Sequence, residues 1–320
     1  MIAAPTVILS HALPPADSPE MLAALAALPL PFVRQWLANS VAQHTLTTTA
    51  EGLALPDEWA RADTLGWTSP HGTWPWAALA AQDSPVHHST ADHAWAFIRL
   101  CHWQVGNGQF TLQDPGPITQ AESDALMASM RAYFEEDGIT LHAFEPGRWL
   151  AQSALFDGLA SASAERVMGL PIEPWLLGAH LATLPPPIRT LRRLQNEMQM
   201  LLYQHPVNDT RRTAINSIWV EGCGAFSSDC PAPLAGTTAV VLLDDLREPW
   251  LLRDATAWAR AWEHLDAEVL PAWLQPPGAR IAWCGQRQAR WWVHQPPSLW
   301  LRLRRLVRPS PLSEVLSCDA

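Results

Sequence analysis

Residues 191–225 read LRRLQNEMQMLLYQHPVNDTRRTAINSIWVEGCGA, and the way this stretch folds governs how the rest of the chain is read. Leu191, Leu194, Met198, Leu201 and Leu202 recur at three- and four-residue spacing and form one apolar helical face, while Arg192, Asn196, Gln199 and Tyr203 share the opposite one. Pro206 stops that helix and disfavours the α conformation at His205. A turn carrying Asn208, Arg211 and Arg212 follows. Within the strand candidate Ile215 to Val220, Asn216-Ser217 leads into the apolar run Ile218 to Val220, which opens onto Gly222-Cys223-Gly224. Helix, rigid turn and strand in this order are one layer of a mixed α/β protein.

Upstream, Thr6 to Leu9 is a short buried strand, cut off by Pro14-Pro15. Helices are expected over Pro19 to Leu28 and Pro31 to Ala42, each with Pro in its first turn, and Thr47 to Ala81 reads as helix and loop. Trp95 to Leu112, broken at Gly106-Asn107-Gly108, is a β-hairpin. Thr119 to Phe134 is a helix whose Thr119 and Glu122 form a capping box, and Thr140 to Phe144 and Arg148 to Gln152 are strands joined by a Glu-Pro-Gly turn. Downstream, strands at Thr238 to Leu243 and Arg280 to Cys284 alternate with a helix from Arg253 to Leu270, after a first helix over Ile188 to Gln204. The expected class is α/β (mixed α+β), with a helix-rich N-terminal half around an antiparallel sheet and a small α/β layer in the C-terminal half. The Pro-rich connector Leu181 to Pro187 places a boundary between an α+β domain, 1–185, and an α/β domain, 186–320.

The chain has 320 residues and a net charge of −10, enough length for a large core and too little positive charge for broad nucleic-acid binding. All 21 basic residues are Arg, so Schiff-base chemistry, a P-loop lysine and a Lys general base are excluded. Any anion site must use arginine forks or backbone amides. The basic residues concentrate at one end: seven arginines and no acid lie between Arg280 and Pro311, a face that an acidic protein partner would fit. Cys101, Cys223, Cys230, Cys284 and Cys318 show no paired zinc-type spacing, which fits reduced thiols. The first apolar run has no positive charge before it and is far short of the about 20 residues that span a bilayer. The expected location is cytoplasmic, with no membrane association.

The rigid turn and the glycines after the strand define a candidate anion site, His205, Asn208, Arg211, Asn216, Gly222 and Gly224, with Arg211 as the charged fork and the glycines letting backbone amides approach a ligand. The other reading of the same residues is structural, with His205 and Asn208 bonding the orphan carbonyls of the helix end. These six residues and Pro206 resemble the substrate region of archaeal-type cofactor-independent phosphoglycerate mutases, members of the alkaline phosphatase superfamily. Over about Pro85 to Cys284 the chain is also similar to a family of uncharacterised proteobacterial proteins, some labelled phosphoglycerate mutases and some regulatory proteins of pathogenicity-factor production. The mutases hold two divalent metals through Asp and His and use a Ser nucleophile. Where their first strand ends in an Asp-Gly ligand this one ends in Ser10-His11, and their late Asp-His-Gly motif is missing, Asp92-His93 being early and without the Gly. The resemblance therefore implies a non-catalytic phosphoglycerate mutase-like protein that binds a small phosphate- or carboxylate-bearing ligand in a regulatory role, with no catalytic residue and no cofactor assigned.

Three other groups carry alternatives. Asp83, His87, His88, Asp92, His93 and His102 are potential divalent-metal ligands without a paired ligand motif. Asp244 and Asp245, with Arg247, Glu248, Arg253 and Asp254, follow a strand end, where carboxylates serve either a ligand crevice or a turn and helix cap. Cys223 as a nucleophile would need a paired base. The first two groups together would make a metal-dependent phosphomutase or phosphatase; the basic C-terminal face, with Arg302, Arg304 and Arg305, would make an interaction scaffold.

Overall fold

The computed structural model describes residues 4–82, 84, 94–106, 108–233, 240–295 and 312. The fold is mixed α/β, and two compact units divide the chain: Met1–Ala50, Leu55–Gly66 and Pro233–Ala320 form the first, Glu51–Ala54 and Trp67–Ala232 the second. The boundary expected at 185/186 therefore falls inside the second unit, and the chain's beginning belongs with its end.

The first unit is built on β1 (Thr6–Leu9), every residue of which is buried. An uninterrupted apolar run suits a strand covered on both faces, as parallel strands are. Two strands from the far end of the sequence, β8 (Val240–Leu243) and β9 (Arg280–Cys284), run parallel on either side of it, with Thr6 opposite both Val240 and Arg280. Beyond β9 the sheet continues antiparallel through β10 (Gln288–His294) to the edge strand β2 (Ser40–Thr47). Val7, Leu9, Ile281 and Trp283 face a core made with helices α1 (Pro19–Ala27), α2 (Pro31–Ala38) and α9 (Ala255–His264). Ile8, Ala282, Cys284 and Trp291 face Ala60 of α3 (Pro56–Leu65).

Two expectations for this unit are corrected. The second helix ends at Ala38 instead of Ala42, and Ser40–Thr47, whose first three residues read as helix, is a strand; all but Ser40, Val41 and Leu46 are exposed, as suits its place at the sheet edge. The helix expected over Arg253 to Leu270 is continuous only through a π turn at Leu265–Val269 before α10 (Leu270–Leu274). Pro271 has no N–H to give the carbonyl four residues back, and a wider turn absorbs that loss. The turn also places the buried carboxylate of Asp266 at the start of α2, where it accepts from Phe32 and Val33 N–H at 3.2 and 2.8 Å. Leu30, at that N-cap, has no side-chain oxygen to do so.

The second unit is an antiparallel sheet, β5 (Thr140–Glu145), β6 (Arg148–Gln152), β3 (Trp95–Gly106) and β7 (Ser217–Gly224) side by side. The outer half of the long β3 pairs instead with β4 (Gln109–Gln113), the expected hairpin. Helices α5 (Gln120–Glu136) and α7 (Pro186–Tyr203) cover one face, Leu126, Met130, Leu191, Leu194, Met198 and Leu202 meeting Ile98, Leu100, Trp149 and Ile218. The periodic face read in 191–202 is thus the packed one. The opposite face carries two smaller apolar clusters, one around α4 (Trp76–Gln82) with Trp95, Phe97 and Leu150, the other joining Cys101, Leu112, Val167, Trp175 and Trp219. Between them lies a charged seam. Among the described residues no single helix is long and apolar enough to cross a membrane.

Candidate functional site

The six residues singled out after α7 are occupied by the protein itself. Pro206–Thr210 forms a 3₁₀ turn capped by His205, whose Nδ1 accepts from Val207 N–H at 3.2 Å. Its Nε2 lies 2.9 Å from Ser129 Oγ, which donates to Ala125 O. The serine proton being used, Nε2 must be the donor, and the ring is a neutral Nε2–H tautomer; burial lowers its pKa in the same sense. The Asn208 amide donates to Leu202 O at 2.9 Å and Ile215 O at 2.8 Å, and its oxygen accepts from Ile215 N–H at 2.8 Å. Asn216 spans the backbone of Trp103 in the same way, at 2.6 and 3.0 Å. Each amide mimics a peptide group and joins two chain segments.

The expectation that Gly222 and Gly224 admit a ligand is corrected. A Cβ at Gly222 (φ +63°) would lie 3.1 Å from the Phe97 ring and from Trp76 Cβ, and one at Gly224 (φ +137°) 3.3 Å from Pro75. What approaches them is the chain entering α4. Opposite, the register of β3 on β7 shifts between Trp95 and Phe97. This bulge re-aims the strand end.

Arg211 is the exception that leads to the site. Its guanidinium donates to Pro115 O at 2.6 Å, Pro117 O at 3.2 Å and Glu122 Oε1 at 2.8 Å. Glu122 in turn closes the capping box at Thr119, and bonds from Thr119 and Arg211 hold its carboxyl below the ordinary range. Residues 115–117, pinned in this way, form a wall of a cavity of about 540 Å³. Arg99, Gln113, Asp114, Glu145, Arg148 and Glu165 supply its polar lining.

The floor of that cavity is the charged seam. Arg99 of β3 and Arg148 of β6 are register partners and project from the same face. Like charges directly opposite in a sheet repel unless something compensates them. Arg99 pairs with Glu165 of the short helix α6 (Ala164–Val167). Arg148 lies over the Phe97 ring at 3.7 Å, with Glu221 Oε1 3.2 Å and Glu145 Oε2 4.0 Å away. Burial would weaken the charge on Arg99, but Glu165 and Glu221 outweigh it and raise its pKa.

Glu221, in the middle of β7, is fully buried, and its Oε2 accepts from Ala164 N–H at 2.6 Å. Burial and the neighbouring Glu165 push its carboxyl up, against the pull of Arg148 and Arg99. Its Oε1 sits within ion-pair distance of Arg148 but off the hydrogen-bonding direction, so that this oxygen and Arg148 Nε are both buried without a hydrogen bond. Both atoms lie beneath the floor, since each is buried and Glu221 is not among the cavity-lining residues, and each is a buried polar group whose capacity the fold leaves unmet. No reading of the sequence joined Arg99, Arg148, Glu165 and Glu221; alternation in β3 and β6 could have placed both arginines on one face, but not side by side.

The other groups separate. Asp83, His87, His88, Asp92 and His93 lie outside the described residues, as do Arg302, Arg304 and Arg305. His102 contacts Ala214 O through Nδ1 at 2.8 Å. Burial pushes the Cys223 thiol up to about 12, which leaves it protonated and no nucleophile. Asp254 caps α9 through the N–H groups of Thr256 and Ala257, while Asp244 and Asp245 are exposed after β8. At the end of β1, Ser10 Oγ donates to Asp57 at 2.5 Å and His11 takes a left-handed φ of 57°, its Nδ1 buried without a hydrogen bond. Among the described residues no three His, Cys, Asp or Glu side chains group as metal ligands.

No protein-family model and no curated protein matches the chain. Among solved structures, similarity to the PH0037 protein from Pyrococcus horikoshii covers 92% of this chain and 88% of that one, at 12% identity and a TM-score of 0.45. Similarity to the cofactor-independent phosphoglycerate mutase from Thermoplasma acidophilum covers 91% and 90%, at 15% identity and a TM-score of 0.35. At such identities and scores no residue role is transferred from either protein.

Proposed function

We propose that the protein binds a small ligand bearing a phosphate or carboxylate group in the cavity of its second unit and serves a regulatory role through that binding, without metal-dependent phosphoryl transfer. The observation that carries this reading is the pair Arg99 and Arg148, opposite each other on the floor of a cavity of about 540 Å³. A volume of this size falls within the about 300–1,000 Å³ of small-molecule sites. Planar guanidinium forks are the side chains best matched to both anion classes. The residues first suspected of touching the ligand act one step away: Arg211 fixes the wall at 115–117, and Asn216 ties β7 to β3.

Isothermal titration with inorganic phosphate and with succinate tests the proposal. Replacing Arg148 alone would leave the buried Glu221 without its ion-pair partner, so the informative variant is Arg148→Gln with Glu221→Gln, which removes both charges together. Wild-type protein should bind one of the two probes and the double variant at least about tenfold more weakly, the equivalent of a charge-assisted bond. Equal binding by both proteins, or none by the wild type, would overturn it.

A further inference from the structure

Resting on the cavity reading, we infer that Glu165 occupies the place on Arg99 that the ligand's anionic group takes, so that binding exchanges an internal carboxylate for an external oxyanion. Three features of the cavity support the exchange. Glu165 and Arg99 both line it, and both side chains keep solvent exposure, 28% and 21%, so the pair faces the space a ligand would enter. The second fork, Arg148, stands directly across on β6 and lines the same cavity, which leaves an oxyanion two guanidinium groups to bridge once Glu165 has turned away. Finally, the backbone beneath Glu165 is fastened independently of its carboxylate.

That fastening comes from several sides. Ala164 N–H is held by buried Glu221, Ser163 Oγ accepts from Arg166 N–H, and Arg166 donates to Gly52 O while stacking on Trp175 at 4.4 Å. Glu165 can therefore leave Arg99 by changing side-chain rotamers while α6 stays in place. The ligand class that follows is a compact oxyanion, a phosphate monoester or a dicarboxylate, with at least two oxygens presented to the two forks. A neutral or cationic molecule would gain nothing from displacing Glu165.

An internal competitor lowers apparent affinity by the fraction of molecules whose seat is free. Removing it should raise affinity. Titration of inorganic phosphate into Glu165→Ala should show a dissociation constant about tenfold below that of the wild type, with Glu165→Gln, which keeps a weaker acceptor, in between. The control is Glu135→Gln, which removes the same charge from the exposed surface of α5, outside the cavity lining. It should change affinity by less than about twofold, because solvent and salt screen a surface charge away from the site.

If wild type binds and Glu165→Ala is unchanged or weaker, or if Glu135→Gln matches its gain, the displacement is wrong and the cavity reading survives. If neither phosphate nor succinate binds wild type, both fall, and binding by Glu165→Ala alone then means that the carboxylate is a permanent occupant of Arg99 and not a displaceable one. Circular dichroism of the variants should match the wild type, since none of these side chains lies in the buried core.

Discussion

At Asn208 one primary amide meets three backbone groups: both the N–H and the carbonyl of Ile215, and Leu202 O, which also accepts from His205 N–H. Asn208→Ala removes the partner of both Ile215 groups, and a buried group left unbonded costs about 1–3 kcal/mol. We expect a loss of about 2–4 kcal/mol, read as a lower urea midpoint with unchanged slope, and no change in ligand affinity beyond that. His11 makes the opposite case, a ring nitrogen with no bond at all. Burial, helped by Arg247 and opposed by Asp57 and Asp244, lowers its pKa from 6.5 to about 4. Between those values the unfolded chain binds the proton and the folded one does not, so stability falls as the pH drops from 6.5 towards 4 and is unaffected above. His11→Asn, a residue that tolerates left-handed φ, should reduce the acid sensitivity by on the order of 2 kcal/mol between pH 7 and 4 in chemical denaturation.

The elements of the second unit are joined by such residues more than by their own propensities. The capping box at Thr119 starts α5, and the same Glu122 that closes it anchors Arg211. Thr119→Ala should cost about 1 kcal/mol for the lost cap. Its effect on ligand binding should be small if Arg211 keeps its carbonyl bonds to Pro115 and Pro117, which a titration alongside the wild type would show. At Gly222 the constraint is tighter, since positive φ and a 3.1 Å approach from Phe97 and Trp76 act together. Gly222→Ala should destabilise by about 1–3 kcal/mol, the cost of a strained backbone conformation, read in thermal unfolding. Here the Gly-x-Gly pattern was a true signal of close approach with the wrong visitor assigned to it. A glycine pair after a strand says that something comes near; only the position of α4 says what.

For the whole molecule, β1 is inserted between two strands more than two hundred residues away, and β7 lies against β3 across α5 and α7. A cut at 185 removes both β7 and α7 from the second unit. The fragment 1–185 should therefore fail to fold, whereas a fragment spanning 51–232 keeps the entire second unit and should unfold in one cooperative transition, checked by denaturation followed through tryptophan fluorescence. Most helices and strands were legible beforehand, because hydrophobic period, proline position and capping residues act over a few neighbours: α5 with its box, the strands around the Glu-Pro-Gly turn, the buried face of α7. The edge strand β2 was not, since a mostly exposed, polar run beside a helix end gives no local sign of a sheet partner. That any anion site would have to use guanidinium groups or backbone amides was likewise legible in composition, all 21 basic residues being Arg. Which arginines face the cavity was decided only in three dimensions. Arg99, Arg148, Glu165 and Glu221 come from three strands and a short helix, and what brings them together is strand register and burial, neither of which has any trace in the spacing of the residues along the chain.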